Sequence, residues 1–397
     1  VCLSFHLRLL QEQLSQSHPQ NFPHPPLLAA ALLGSFAASA FAAPSVTLYG
    51  IIDTGLNYTH YRADDGKTAS TDTFSMASGQ SSGSRWGLRG DEKIGSVTVG
   101  FNLENGFNSD DGTEAMSRLF GREASVHVAG KYGTLYAGRE GKLISTAGAA
   151  AMGGIFSPFS VLWGDAGIKA QTGTDWGRID NSLTYVSPSF SGLEIRAQYS
   201  FKNDGTKTGD ENSSDVDRYA ALGVSYKNGP AQFGLIGDYS MWKNVAKATE
   251  NVDNGFSVIA GGNYDFKAVR VYGQVNYFDN QSTLVNSVGG LDKFTATTST
   301  TDEKGNLGYE GWGISLGATA PAFGGTVIAG VSYRDAEEVQ GDNEYKRWEA
   351  ALGYTYAFSK RTNAYAGVTY AQQKAEMKDK DQTPSAVGVM AGLVHKF

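Results

Sequence analysis

Arg85 and Arg89 stand in "SRWGLRGDEKIG" on the parity opposite Trp86 and Leu88. Arg178, in "RIDNSLTYV", is likewise out of step with Leu183 and Tyr185, and Arg196 and Arg270 fall on the polar parities of their own runs. Guanidinium groups fixed on one face of an extended segment make and break no covalent bonds. Lined along a water-filled passage, they are standing positive charges that sort passing ions. Residues suited to covalent chemistry are scarce. Cys2 is the only cysteine, and His60, His127 and His395 lie far apart in sequence. No thiol nucleophile, disulfide or zinc cluster is available to the chain beyond its first 42 residues, and no cofactor is expected. "GREGK" lacks Walker spacing, and "NDGTKTGDEN" lacks the spaced ligands and closing glutamate of a calcium loop.

The elements that position these arginines have a period of two. Val97, Val99, Phe101 and Leu103 alternate with Thr98, Gly100, Asn102 and Glu104. Leu193, Ile195, Ala197 and Tyr199 alternate with Glu194, Arg196, Gln198 and Ser200, and the pattern returns along the whole chain from Ser45. Each run is roughly ten residues, the length that crosses a bilayer when tilted. Composition agrees: 50 glycines, 20 tyrosines and 20 phenylalanines with only 18% charged residues suit many short strands. The formal charge of −7 argues against a nucleic-acid partner. No stretch after residue 43 is apolar enough for a membrane helix.

The connections alternate between tight and long. Tight ones are "DEKIG" at 91–95, "KYG" at 131–133, "SPSFSG" at 187–192, "KNGP" at 227–230, "DFK" at 265–267, "PAFGG" at 321–325 and "FSKR" at 358–361. Long ones fall near 58–82, 106–119, 141–178, 202–216, 241–254, 279–310, 335–345 and 372–385. This alternation predicts an all-β fold: a transmembrane antiparallel barrel of about 16 strands, with turns on one side and loops on the other. A propeller would show its own repeat signature, and none is seen. Tyrosines near the run ends, such as Tyr185, Tyr226, Tyr277 and Tyr356, read as interfacial girdles. An open edge strand in lipid would leave unpaired backbone groups. The final run, "VGVMAGLVHKF", is therefore expected to pair with the first, "SVTLYGIIDTGLNY", with the ring of Phe397 toward lipid. Upstream, "LLAAALLGSFAASAFA" ends in a small-x-small cleavage pattern. Residues 1–42 are read as a leader, of which 1–26 suit a misassigned start, and 43–397 as the barrel.

Taken together, "SVTLYGIIDTGL", "SRWGLRGDEKIG", "LFGREASVHVAGKYGTLYAGRE", "RIDNSLTYVSPSFSGLEIRAQYSF" and the closing "GLVHKF" resemble the general-diffusion porins of betaproteobacterial outer membranes, from about Ser45 to Phe397. The resemblance implies a homotrimer of 16-stranded barrels in the outer membrane of a Gram-negative bacterium. Such a barrel meets lipid and lipopolysaccharide and passes ions and small hydrophilic solutes without catalysis. It also implies short periplasmic turns and long external loops, the third folded inward to narrow the bore. Here that loop is Gly141–Arg178, whose "AAAMGGIFSPFSVLW" is suited to packing on the inner wall. The wall arginines matching the family are Arg85, Arg122 and Arg178, with Arg89 beside them. The candidate loop acids are Asp165 and Asp175, with Glu140 at the loop entrance, diluted by Lys142 and Lys169. Three arginines against two acids give an expectation of mild anion preference. Arg122 and Arg139 conflict with this scheme. They share parity with lipid-facing Val126 and Leu135, so each needs a phase-reversing bulge or a place above the membrane. A substrate-specific channel and a barrel enzyme or adhesin are the competing readings, separable by single-channel recording.

Overall fold

The computed structural model describes residues 45–397 apart from 65, 66, 68, 160–162, 164–176, 244–252, 283, 285–307, 340–342 and 378–380. The described residues belong to one compact unit, Ala43–Phe397. The expected leader and the candidate acids Asp165 and Asp175 lie outside the described residues.

Seventeen strand segments follow in order. The first eight are β1 (Ser45–Arg62), β2 (Thr71–Ser78), β3 (Arg85–Ile94), β4 (Val97–Gly106), β5 (Glu123–Gly130), β6 (Gly133–Gly141), β7 (Arg178–Val186) and β8 (Leu193–Ser200). The rest, each longer than β2–β8, are β9 (Arg218–Asn228), β10 (Ala231–Met241), β11 (Gly255–Asp265), β12 (Arg270–Gln281), β13 (Tyr309–Ala322), β14 (Gly325–Glu338), β15 (Glu344–Ala357), β16 (Thr362–Glu376) and β17 (Ser385–Lys396). Every neighbouring pair is antiparallel. The ring closes where Ile51–Arg62 of β1 pair with Ser385–Lys396 of β17. β2 and β3 both pair with the same edge of β1, so they are two pieces of one stave, and the ring has 16 staves. Thr71–Ser78 fall inside the stretch expected to be the first long loop. They form a strand because β1 runs on to Arg62, beyond the length needed to cross lipid, and offers its edge to them.

Alternation holds stave by stave. On β1, Val46, Leu48, Ile52 and Leu56 are exposed on the outside, whereas Asp53 and Tyr61 are buried inside. On β10, Phe233 and Leu235 face out and Ile236 and Asp238 face in. Large apolar side chains on the outside of every stave fit a hydrocarbon solvent. Aromatic pairs bracket this band: Trp312 with Tyr333 and Trp348 with Tyr370 near the loop ends, Tyr264 with Phe266 and Tyr356 with Phe358 near the turn ends. Phe397 exchanges backbone hydrogen bonds with Gly50, and its half-exposed ring lies over the bare Cα of that glycine on the outer surface, as expected.

The third loop folds inward. Leu143, Ile144, Met152, Ile155 and Phe156 pack with Tyr219 and Ala221 of β9, Ile236 of β10 and Ile259 of β11. Further along, Phe159 and Trp163 pack with Ile328, Tyr365, Met390 and Val394. The loop can lie this close because the wall beneath it presents glycines. A methyl group at Gly317 would stand 2.6 Å from Cδ of Pro158, and one at Gly353 would stand 2.9 Å from the Trp163 ring. Gly223, Gly234 and Gly330 receive Met152, Phe156 and Phe159 in the same way. Polar anchors fix the path. Gln198 accepts from Leu143 N (3.2 Å) and donates to Gly141 O (3.0 Å), and Asn263 donates to Ile155 O (2.9 Å).

Candidate functional site

The inner face of β3–β7 carries the charges. Register puts Gly87 opposite Glu104 and Glu104 opposite Glu123, and the β5–β6 ladder continues toward Glu140. Three carboxylates therefore follow one another across three staves. Tyr49, from β1, donates its hydroxyl to Glu104 Oε2 at 3.0 Å. On the loop side of this row the guanidinium groups converge. Arg122 Nε lies 2.6 Å from Glu104 Oε1, and Arg85 Nη1 is 3.8 Å from the same oxygen. Arg85 also donates to Gly83 O and Ser82 Oγ, which fixes its plane. Arg178 donates Nε to the carbonyl of Arg122 at 2.5 Å, which brings it to the same cluster.

Three of the four expected wall arginines thus cluster, two of them on one carboxylate. Arg89 does not join them. It lies with its guanidinium carbon 5.1 Å from the centre of the Tyr49 ring, opposite Asn102. Glu140 belongs to the wall rather than to the loop tip and is fully buried, as is most of Glu123. The parity conflict over Arg122 dissolves because β5 begins at Glu123. Arg122 precedes the strand, and its side chain is free to turn inward. For Arg139 the bulge is real. The β6–β7 register slips between Gly138 and Glu140, and Asn181 takes a left-handed φ of 48°.

A second tie sits at the loop rim. Arg118 bridges Asp180 (2.6 Å) and Asp204 (2.7 Å), and Arg139 holds the other Asp180 oxygen at 2.5 Å. Arg118 is held above its ordinary value, chiefly by the hydrogen bond to Asp180. For Asp204 burial pushes the carboxyl up, but hydrogen bonds from Thr206 and the charge of Arg118 outweigh it and leave the group below the usual carboxylate range. Glu104, Asp180 and Arg118 were not singled out from sequence. Glu104 shows there only as one polar position among many. Its meaning comes from cross-strand register, which a single run does not display.

A family model described as Gram-negative porin matches residues 29–376. An outer membrane porin protein of Bordetella pertussis is 34% identical over 394 residues, covering 94% of this chain and 99% of that one. The outer membrane porin protein 32 of Delftia acidovorans is 29% identical over 378 residues, covering 93% and 94%. Among solved structures, an anion-selective porin from Comamonas acidovorans superposes with a TM-score of 0.60 at 24% identity, over 89% of this chain and all of that one. The outer-membrane-expressed OmpT of Vibrio cholerae gives 0.57 at 15% identity, over 89% and 98%. These last two likenesses concern the fold.

Proposed function

Because this chain belongs to the Gram-negative porin family, and is an outer-membrane channel for passive diffusion, we propose that its arginine wall gives that channel a mild preference for anions. The observation that supports this reading is the clustering of three guanidinium groups: Arg85 and Arg122 share the carboxylate of Glu104, and Arg178 joins them through the carbonyl of Arg122. Asp180 and Asp204 are engaged by Arg118 and Arg139. Glu123 and Glu140 are buried, and Glu104 is shared by two guanidinium groups. Ions and small hydrophilic solutes are the permeants of such a passage. A reversal potential measured across a bilayer in a KCl gradient tests the reading: its sign should report chloride as the more permeant ion, and a cation-selective sign overturns it.

The assembly that suits this barrel is a homotrimer joined over β1–β5, with lipid and lipopolysaccharide on the remaining outer surface. β2 supports this placement. It pairs with β1 alone among the described strands, and Phe74 and Met76 are exposed on it. A free strand edge is poorly tolerated in lipid and is well covered by another protein surface. Met76→Arg should yield monomers in mild detergent while retaining barrel circular dichroism; trimers that persist refute this face. Residues 1–42 serve as the leader in this reading, and N-terminal sequencing of the membrane form should begin at Ala43.

A further inference from the structure

Asp53 sits on the inner face of β1, fully buried. No cation lies within ion-pair distance of it among the described residues. Its oxygens instead gather three donors: Tyr365 hydroxyl at 2.7 Å on Oδ1, and the backbone N–H groups of Ser81 (2.8 Å) and Ser82 (2.6 Å) on Oδ2. Its backbone is tied to the same place, by Gly79 N to Asp53 O at 3.0 Å and Asp53 N to Ser84 Oγ at 3.0 Å. All but one of these bonds end on the segment between β2 and β3. Thr54 pairs with Ser78 and Ile51 with Arg85, so three steps on β1 face seven on its partner stave, and four residues are extra. An uninterrupted stave would close the ring without them, and without burying a carboxylate.

The extra residues do one further thing. The carbonyl of Gln80 accepts the backbone N–H of Trp163 at 2.7 Å, and Gln80 Nε2 reaches the Tyr365 hydroxyl at 3.3 Å. The Trp163 ring packs on Tyr365 with centroids 5.5 Å apart and on Phe159 at 5.8 Å. The near part of the third loop is held by Gln198 and Asn263. Among the described residues, Trp163 is held by this carbonyl, presented by a segment that Asp53 shapes. Apolar contact with a glycine-lined wall has little directional preference and permits sliding. Directional bonds are what hold the loop at a set height and distance from the wall.

We propose that Asp53 is the positioning residue for the third loop: through Tyr365 and Gln80 it clamps Trp163 against the wall and so sets the open cross-section of the channel. With the clamp broken, Trp163 leaves the wall and the bore narrows. The inference takes the diffusion channel as given and is independent of its ion preference.

Single-channel recording of the purified full-length barrel tests it. Tyr365→Phe removes one hydroxyl and keeps the ring against Trp163. The variant should assemble and unfold thermally like the parent, while the fraction of time spent in reduced-conductance levels rises roughly tenfold, the shift for losing a hydrogen bond to a carboxylate. Asp53→Asn keeps the shape and should fall between the parent and Asp53→Ala. The paired variant Gln80→Cys with Trp163→Cys covers the case in which Asp53→Ala fails to assemble. Oxidised, it should show no closures; reductant should restore them. Closures in Tyr365→Phe at the parental rate overturn the proposal. So do closures that persist in the oxidised pair, or a fall in unfolding temperature with conductance unchanged.

Discussion

Across the bore, β3–β7 and β9–β16 present opposite kinds of surface. The first is charged and bears short staves; Arg85, Arg122, Arg178 and Glu104 point from it into the interior, with Arg118, Arg139 and Asp180 at its rim. The second presents bare backbone where the described part of the loop touches it, with Arg334, Arg347 and Glu349 buried in the same wall; Gly223, Gly234, Gly317, Gly330 and Gly353 lie under Met152, Phe156, Pro158, Phe159 and Trp163. The difference assigns two properties of one channel to two places. Width is set where a loop can lie flat on bare backbone. On the proposed anion preference, selectivity belongs to the arginine cluster of the other wall.

Each wall can be attacked separately. The largest effect is expected at Gly317→Leu. The new side chain collides with the rigid ring of Pro158, and overpacking of this kind costs about 1–3 kcal/mol. The loop should lift, and single-channel conductance should fall to about half or less, while the sign of the reversal potential stays as in the parent. Next comes Arg178→Glu on the opposite wall. A unit charge about 4 Å from a passing ion in water is worth about 1 kcal/mol, so a charge reversal should change the anion-to-cation permeability ratio at least about fivefold with little change in conductance. If conductance moves and selectivity does not, the division between the walls is wrong. Salt sharpens the same contrast. Raising ionic strength from about 0.1 M to 1 M shortens the screening length from about 10 Å to about 3 Å, which should shrink the ion preference. Exclusion of neutral polymers, a property of the glycine side, should not move.

Smaller effects are expected at the edges of the charged wall. Arg89→Ala removes only a cation–π contact, worth about 0.5–1 kcal/mol at an exposed site, and should leave the permeability ratio close to that of the parent. Acid should loosen the rim tie. The folded carboxyl of Asp204 is held below its ordinary value, so its contribution is fully present above the unfolded value, about 3.9. It is lost as pH falls through the folded value. Proteolysis within Asn203–Asp217 should therefore quicken at about pH 3 relative to pH 7, whereas the packing of Phe156 and Phe159 on glycines has no reason to respond.

The staves were legible because hydrocarbon outside and water inside impose a period of two on every run, and turn length separates the two rims. The inward loop was expected chiefly from the family resemblance, with its length and apolar centre in support. Three things escaped. β2 is short and polar, with Thr71, Asp72 and Thr73 at its start, and exists only because β1 is long enough to pair with it. The Arg122 and Arg139 side chains obey a strand start and a bulge, neither of which a parity count contains. The Glu104–Glu123–Glu140 row and the Asp53–Tyr365 contact join residues from different staves, and only register brings them together. The "SGQSSGSR" stretch that Asp53 gathers reads in sequence as ordinary loop.

The seam between β1 and β17 has a consequence in time. Thr54 faces Leu393, residues nearly at opposite ends of the described chain. Until that meeting occurs, a partly built cylinder has two raw margins, each able to zip to a margin of another molecule as readily as to its own. Contacts so remote in sequence form slowly. The hazard is therefore greatest in crowded, unfinished material, and dilution or a holding factor during assembly should raise the yield of closed barrels far more than any improvement to the finished wall.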